Sequence, residues 1–205
     1  MASLNKPVIL STGGSTVEEI EDAVTAILQE GNNQVILLAC TMSYPTKNAD
    51  ANILRVKTLI ERFPDFIIGL SDHTEPDTHM VIPSLGVALG AKVIEKHFTL
   101  DRTMTGSGHS FSVEPKDLKK MVENIRQAEI VLGSGELNFT EAEKPSRQGA
   151  RGSLVANRNI KKGEKLTDDL IGIKRPGTGL SPSLIDKVIG RALKRGIKKD
   201  SQISL

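Results

Sequence analysis

The chain has 205 residues, a formal net charge of +2 and 38% hydrophobic residues, which is enough apolar material for one or two domains with a buried core. Its single cysteine, Cys40, excludes an intrachain disulfide and a zinc site built on several cysteines. The absence of Trp disfavours a platform for stacking nucleic-acid bases. No apolar run approaches the roughly 20 residues of a membrane span and no leader pattern opens the chain, so we expect a cytoplasmic α/β protein with no membrane and no nucleic-acid partner.

Four short apolar runs rich in β-branched residues recur over the first 133 residues and predict four strands. They are Val8–Leu10, Val35–Leu38, Phe66–Ile68 and Val93–Ile94. An amphipathic helical pattern follows each run, which indicates a buried parallel sheet covered by helices. Four βα units are half of a (β/α)₈ TIM barrel, but they also suffice for a small open doubly wound sheet, so periodicity leaves both folds open.

The predicted helix after the first strand has the clearest boundaries. Residues 16–19 form a capping box and Gly31 ends the apolar stripe. Pro115 stands in the first turn of the fourth helix, which stops at Gly133. The three later helices are predicted over residues 51–63, 77–89 and 112–133.

The C-terminal part of the chain has a different pattern and a different charge. Residues 134–150 lose periodicity and are predicted to form a linker. Residues 151–205 resemble a small β-rich module and carry 13 Lys and Arg against 5 Asp and Glu, whereas the rest of the chain carries 14 against 20. The basic module could face nucleic acid, an acidic neighbour or an anionic substrate, or be a solvated lysine-rich surface. Its predicted elements are two strands and a rigid loop, at 153–156, 170–174 and 176–179.

Polar side chains follow each predicted strand, where functional residues of parallel α/β proteins cluster. They are Ser11 to Gly14 after the first strand, Thr41, Ser43 and Tyr44 after the second, Ser71 to Thr74 after the third, and Glu95 to His97 after the fourth. The hydroxyls and glycines at 11–14 precede a helix and suit phosphate, although a tight turn with an N-cap explains them nearly as well.

The four histidines fall into different settings. His73 and His97 end neighbouring strands, and two converging imidazoles with nearby carboxylates can bind a divalent metal. A hydrogen-bonded structural role is the alternative for each. His79 lies within a helical pattern and is predicted to be structural or exposed, and His109 lies in a Gly-rich loop as a candidate mobile substrate contact.

Two basic residues and the cysteine complete the candidates. Lys6, just before the first strand, is either near a phosphate or a solvated lysine. Arg175, held by Pro176, is either a rigidly presented anion ligand or a surface arginine. Cys40 is interpreted as a core residue, because the sequence places no base beside it.

Several strings, in this order and spacing, resemble the sialic acid synthase family. They are KPVILSTG at 6–13, TMSYPT at 41–46, IGLSDHT at 68–74 and VIEKHFTLDR at 93–102. The tail is similar to the antifreeze-like (SAF) domain of that family, a β-clip fold. The matching strings there are RGSLVA at 151–156, IKKG at 160–163 and KRPGTG at 174–179.

The resemblance implies a fold and an activity. Enzymes of this family are TIM barrels that condense phosphoenolpyruvate with an N-acetylated amino sugar, such as N-acetylmannosamine, to a nine-carbon 2-keto acid and phosphate. They use Mn²⁺ or Mg²⁺ and form domain-swapped homodimers. The implied domains are a half TIM barrel at 1–133, a linker at 134–150 and a SAF domain at 151–205.

The resemblance also assigns roles to individual residues. It implies His73 and His97 as metal ligands that are catalytic together with Tyr44. It implies Arg175 and His109 as sugar contacts, Arg175 reaching the site of the other subunit. The implied phosphoenolpyruvate contacts are Lys6, Ser11, Tyr44 and Ser71.

Two departures from the family pattern shape the expectation. Gly108 stands where many members have an aspartate that contacts the sugar, so the sugar could instead be a relative that leads to legionaminate or pseudaminate. The four βα units match only strands five to eight of the family barrel, so we expect a truncated or fragmentary synthase that is incomplete alone. The alternative is a non-catalytic SAF-domain protein that binds a carbohydrate or a partner.

Overall fold

The computed structural model describes residues 2–204 and falls into two units, Met1–Gly135 and Glu136–Leu205. The first unit alternates strands and helices. Its elements are β1 (Val8–Ser11), α1 (Val17–Gln29), β2 (Val35–Cys40), α2 (Arg55–Arg62), β3 (Ile67–Asp72), α3 (Val81–Ala88), β4 (Val93–Lys96) and α4 (Pro115–Leu132).

The strands form one parallel sheet in the order β1-β2-β3-β4. This sequential order is that of a barrel segment, because a doubly wound sheet reverses its strand order at a switch point. The prediction of half a TIM barrel is therefore confirmed, and the open doubly wound alternative is wrong.

The helices pack against one face of this sheet. Alternate residues of a strand point to opposite faces, and Leu37 of β2 and Leu70 of β3 pack into a core with Val24 of α1 and Leu59 of α2. The positions between them, such as Ser71 at the carboxyl end of β3, face the other side. That face would be the interior of a closed barrel.

The sheet has two open edge strands, and part of the face that would be the barrel interior is exposed to solvent, as expected for four strands. Among residues 2–204, β1 and β4 each pair with one neighbouring strand. Ile9 is 55% exposed and Ile67 is 50% exposed, although both belong to strands. A closed eight-stranded barrel fills its interior with such side chains.

Hydrogen bonds from local side chains set where two of the helices begin. The capping box of α1 is present: the Glu19 amide donates to Thr16 Oγ1 at 3.3 Å and the Thr16 amide to Glu19 Oε2 at 2.8 Å. The third helix was expected from Asp77 but begins at Val81, because Asp77 Oδ1 accepts the amides of His79 and Met80 and so closes a turn.

The second unit contains helices as well as the predicted strands. Its elements are α5 (Lys144–Ala150), β5 (Ser153–Ala156), β6 (Ile171–Lys174) and α6 (Ile185–Val188). Strands β5 and β6 pair antiparallel over a core that includes Leu154, Leu166 and Ile203. Helix α5 lies within the segment expected to be a linker. Its seven residues are too few for a helical repeat to stand out in the sequence.

Candidate functional site

Three predicted side chains meet at the carboxyl ends of β2, β3 and β4. The imidazole centroids of His73 and His97 are 5.2 Å apart. The Tyr44 ring lies 4.4 Å from the His73 ring and 5.9 Å from the His97 ring. Phe111, which the sequence did not single out, packs 5.0 Å from His97. The parallel register brings these loops together, as expected for strand ends of one sheet.

The buried His73 ring has a defined protonation pattern. Its Nδ1 lies 3.1 Å from the Thr41 carbonyl oxygen. A carbonyl oxygen only accepts, so this contact places a proton on Nδ1 and leaves the Nε2 lone pair available. Metal-binding histidines commonly have their second nitrogen held in this way.

Ser71 and Glu95 extend this arrangement. Ser71 is 3% exposed, and its hydroxyl donates to Glu95 Oε1 at 2.7 Å. Ser71 Oγ also lies 3.4 Å from His73 Nε2. The hydroxyl proton of Ser71 is directed to Glu95, and the imidazole proton of His73 is on Nδ1. Ser71 Oγ and His73 Nε2 therefore each present a lone pair to the other across 3.4 Å. Two facing lone pairs suit a cation, so the residues present fit a metal ion.

Cys40 has a neighbour that the sequence did not predict. Its Sγ lies 3.7 Å from His73 Nδ1 and is buried. The statement that no base stands beside Cys40 is therefore wrong, because the β2–β3 register places the end of β2 next to the residues that follow β3. Since Nδ1 donates to Thr41, the contact does not make Cys40 a nucleophile, and it remains a core residue.

The residues that precede the two histidines form a buried ion pair. Lys96 Nζ is 2.8 Å from Asp72 Oδ2, and these side chains are 3% and 2% exposed. Lys96 Nζ also donates to the Thr74 carbonyl at 2.7 Å. Each partner immediately precedes one histidine in the chain, so the pair ties together the strand ends that carry His73 and His97. The sequence signal for this ion pair was that a charged residue precedes each histidine, Asp72 before His73 and Lys96 before His97.

The loop beyond β4 packs against His97. Gly108 has φ +94°, and a Cβ there would lie 3.4 Å from His97 Nδ1. His109, predicted as a mobile substrate contact, is half-buried, and its Nδ1 lies 2.8 Å from Thr99 Oγ1. A Cβ at position 108 would therefore lie in van der Waals contact with His97, and the positive φ would strain the backbone.

Three other predicted residues are exposed to solvent. Ser11 is exposed at the carboxyl end of β1, whereas Lys6 precedes its amino end and is exposed there. Ser11 is five residues after Lys6, so their backbones lie at most about 16 Å apart at roughly 3.3 Å per extended residue. Arg175 is exposed and belongs to the second unit. Within the described part of the chain, no group of three or more His, Cys, Asp or Glu side chains is arranged to hold a metal.

Burial and the nearby charge of His73, in that order, lower the pKa of His97 below its usual value. We expect its Cε1 proton resonance to titrate below the pH of about 6.5 that is typical of histidine. His73→Ala should raise this pKa, because it removes the second cause. A titration of His97 at or above the ordinary value, followed by proton NMR, would contradict the expectation.

The lowered pKa of His97 makes the stability of the fold depend on pH. Because the pKa is lowered in the folded chain, the unfolded chain binds more protons as the pH falls below about 6.5. His97 therefore contributes stability above that pH, and the contribution is lost as the pH falls through its folded pKa. Urea denaturation at several pH values, with His97→Asn as the comparison, measures the effect.

Comparisons with known proteins match both units. A model described as the NeuB family matches residues 1–137, and one described as the SAF domain matches residues 151–205. An uncharacterized protein of Methanocaldococcus jannaschii is 45% identical over 203 residues, which are 99% of this chain and 59% of that protein. The N,N'-diacetyllegionaminic acid synthase of Legionella pneumophila is 37% identical over 94% of this chain and 54% of its own length.

A solved structure agrees with these matches. The putative spore coat polysaccharide biosynthesis protein E of Chromobacterium violaceum superposes with a TM-score of 0.83 at 29% identity, covering 98% of this chain and 60% of that one. The chain thus spans little more than half the length of the proteins it matches. None of the helices described over residues 2–204 has the length and apolar character to cross a membrane.

Proposed function

Because the chain belongs to the NeuB family and ends in a SAF domain, we propose that it serves a sialic acid synthase-type condensation. In that reaction phosphoenolpyruvate and an N-acetylated amino sugar give a nine-carbon 2-keto acid and phosphate. The pairing of His73 and His97 at adjacent strand ends is the observation that carries the proposal.

The two imidazoles would hold the metal ion. Nitrogen donors suit Mn²⁺ better than Mg²⁺, which prefers oxygen ligands. When bound, the metal supplies Lewis-acid polarisation of the sugar carbonyl. The chain's own residues prepare the site: Thr41 fixes the His73 tautomer, and Glu95 takes the Ser71 proton.

The remaining roles follow the family pattern. Tyr44, whose ring is tilted against His73 and edge-on to His97, would contact phosphoenolpyruvate together with Ser71. Ser11 would bind its phosphate from the end of β1. Lys6 lies at the opposite end of β1. It would contact phosphoenolpyruvate only if the ligand, or another segment of polypeptide, extended through the barrel interior. His109 would contact the sugar.

A homodimer with exchanged SAF domains would complete the sugar site. Arg175 of one protomer would then reach the sugar bound by its partner. The relatives named as legionaminic acid synthases and the glycine at position 108 favour an N,N'-diacetylated sugar over N-acetylmannosamine. A small residue there leaves space beside His97 for a larger substituent.

We further propose that catalysis requires four more βα units, because four strands do not close a barrel. A non-catalytic binding role is the second candidate, and the separate hydrophobic core of the second unit favours it. Metal binding by His73 and His97 separates the two candidates, since a scaffold for the SAF domain has no need of it.

Phosphate release from phosphoenolpyruvate tests the proposal. The purified chain should release none alone with Mn²⁺ and either N-acetylmannosamine or an N,N'-diacetylated hexosamine. Adding the first half of the Legionella pneumophila relative as a separate chain should yield release that depends on both sugar and metal. Phosphate release that does not depend on the sugar, or does not depend on the metal, would contradict the proposal. Absence of phosphate release with every sugar after the complementing chain is added would also contradict it.

A further inference from the structure

A cavity of about 740 Å³, open to solvent, is lined only by residues of the second unit. Its wall carries three cationic side chains, two serines and one aromatic ring. They are Lys144, Arg147, Arg151, Ser181, Ser183 and Phe139. No residue that lines the cavity is an Asp or a Glu, so its charge is uniformly positive at neutral pH.

Helix α5 arranges the three cations. Positions 144, 147 and 151 are spaced by three and four residues, which places them on one face of a helix. The Arg151 amide donates to the Arg147 carbonyl at 3.1 Å and so closes the last helical hydrogen bond, and Arg151 is the C-cap, where the backbone becomes extended with ψ 152°. Positions 144 to 151 span about two helical turns at roughly 3.6 residues per turn. An anion bound between Arg147 and Arg151 would relieve the repulsion between their charges.

Among the described residues, 2–204, no carboxylate is paired with Arg147 or Arg151. Lys144 pairs with Glu141 at 2.6 Å. Neither guanidinium forms an ion pair with any of residues 2–204, and that of Arg147 lies 4.6 Å from the centre of the Phe139 ring. Stacking holds the Arg147 guanidinium while leaving its N–H donors available in the plane of the group.

A glycine-containing loop forms the facing wall. The Gly177 amide donates to the Gln148 carbonyl at 2.8 Å. A Cβ at position 177 would lie 2.5 Å from Arg151 Cβ and 3.2 Å from the Arg151 carbonyl oxygen. Only glycine allows this approach, which fixes the backbone that presents Arg151. Beside it, the hydroxyl oxygens of Ser181 and Ser183 are 2.9 Å apart.

We propose that this cavity binds the oxyanion, a carboxylate or a phosphate, of a small hydroxylated ligand such as an acidic or phosphorylated sugar. Guanidinium groups bind either anion through paired hydrogen bonds. The serine hydroxyls suit the hydroxyl groups of a sugar, and the cavity has the volume of a small-molecule site. None of the residues at the strand ends takes part, so the site is independent of the proposed condensation.

Calorimetric titration of the whole chain with three related sugars tests the site. Glucose 6-phosphate and glucuronate present the two anions on one scaffold, and glucose presents neither. We expect saturable binding of at least one anionic sugar and none of glucose, and the stronger of the two identifies the anion. Arg151→Gln and Arg147→Gln should each weaken binding by about tenfold, since a charge-assisted hydrogen bond is lost.

Two further variants make the test specific. Arg151→Lys keeps the charge but loses the paired geometry, and should weaken binding less than Arg151→Gln. Arg195→Gln removes an exposed arginine outside the cavity and should leave binding unchanged. If loss of the Phe139 contact unfolds Arg147→Gln, the Arg151 variants carry the test.

Three results would overturn the proposal. One is the absence of saturable binding by both anionic sugars, and another is equal weakening in Arg195→Gln and Arg151→Gln. The third is displacement of the sugar by any DNA duplex in low salt with loss of binding at high salt, which indicates a general polyanion surface.

Discussion

Lys96→Met should lower the free energy of unfolding by about 3 to 5 kcal/mol, because it leaves the Asp72 carboxylate buried without its counter-charge. Lys96 Nζ contacts Asp72 Oδ2 at 2.8 Å, and both side chains are almost fully excluded from water. The substitution also removes the donor to the Thr74 carbonyl. Asp72 would keep the two hydrogen bonds that its Oδ1 accepts from the amide and the hydroxyl of Thr74, but neither donor carries a charge.

Urea denaturation followed by circular dichroism measures this loss. Lys57→Met is the matched control, because Lys57 forms an exposed ion pair with Glu61 at 3.9 Å whose removal should cost no more than about 0.5 kcal/mol. The double variant Lys96→Met with Asp72→Leu should recover much of the stability, since neither charge then remains buried. A loss below about 1 kcal/mol in Lys96→Met would show that Asp72 has other compensation.

The ion pair illustrates what the sequence could and could not predict. The four strands were predicted at the right places, because apolar runs define them, but each extends one to four residues further at its carboxyl end than the apolar run did. Tyr44, His73 and His97 followed from the common edge at which parallel strands end. Asp72 and Lys96 were among the polar residues noted at the strand ends, but their ion pair was not predicted, since it depends on the register that sets Asp72 opposite Lys96 in β3 and β4. Register is a property of the folded sheet, not of either strand alone.

Helix boundaries and the cysteine show the same limit. The capping box that begins α1 is a local signal, and the prediction was confirmed. The turn at Asp77 is also local, but its residues fit the helical pattern equally well, so the third helix was begun too early. The proximity of Cys40 to His73 again required the register of two strands that are distant in the chain. Helix α5, and with it the basic cavity, falls in a segment without sequence periodicity.

Mn²⁺ binding should weaken by about 100-fold or more in His73→Ala and in His97→Ala, because each removes one of the two imidazole donors that we propose as ligands. Loss of a residue that merely supports a ligand already costs 10–100-fold in many metal sites, so loss of a ligand should cost at least the upper value, about 100-fold. Free Mn²⁺ is measured by its electron paramagnetic resonance signal, which disappears on binding, so the titration needs no catalysis and no completed barrel.

His79→Ala provides the matched control, because His79 is exposed in a turn before α3 and stands outside the strand-end group. Its Mn²⁺ affinity should equal that of the parent chain. Ser71→Ala adds a graded comparison: it removes the oxygen that faces His73 Nε2 at 3.4 Å but keeps both imidazoles, so it should weaken binding less than either histidine variant. Unchanged binding in both histidine variants would remove the ligand assignment. The half barrel would then be left as a support for the SAF domain.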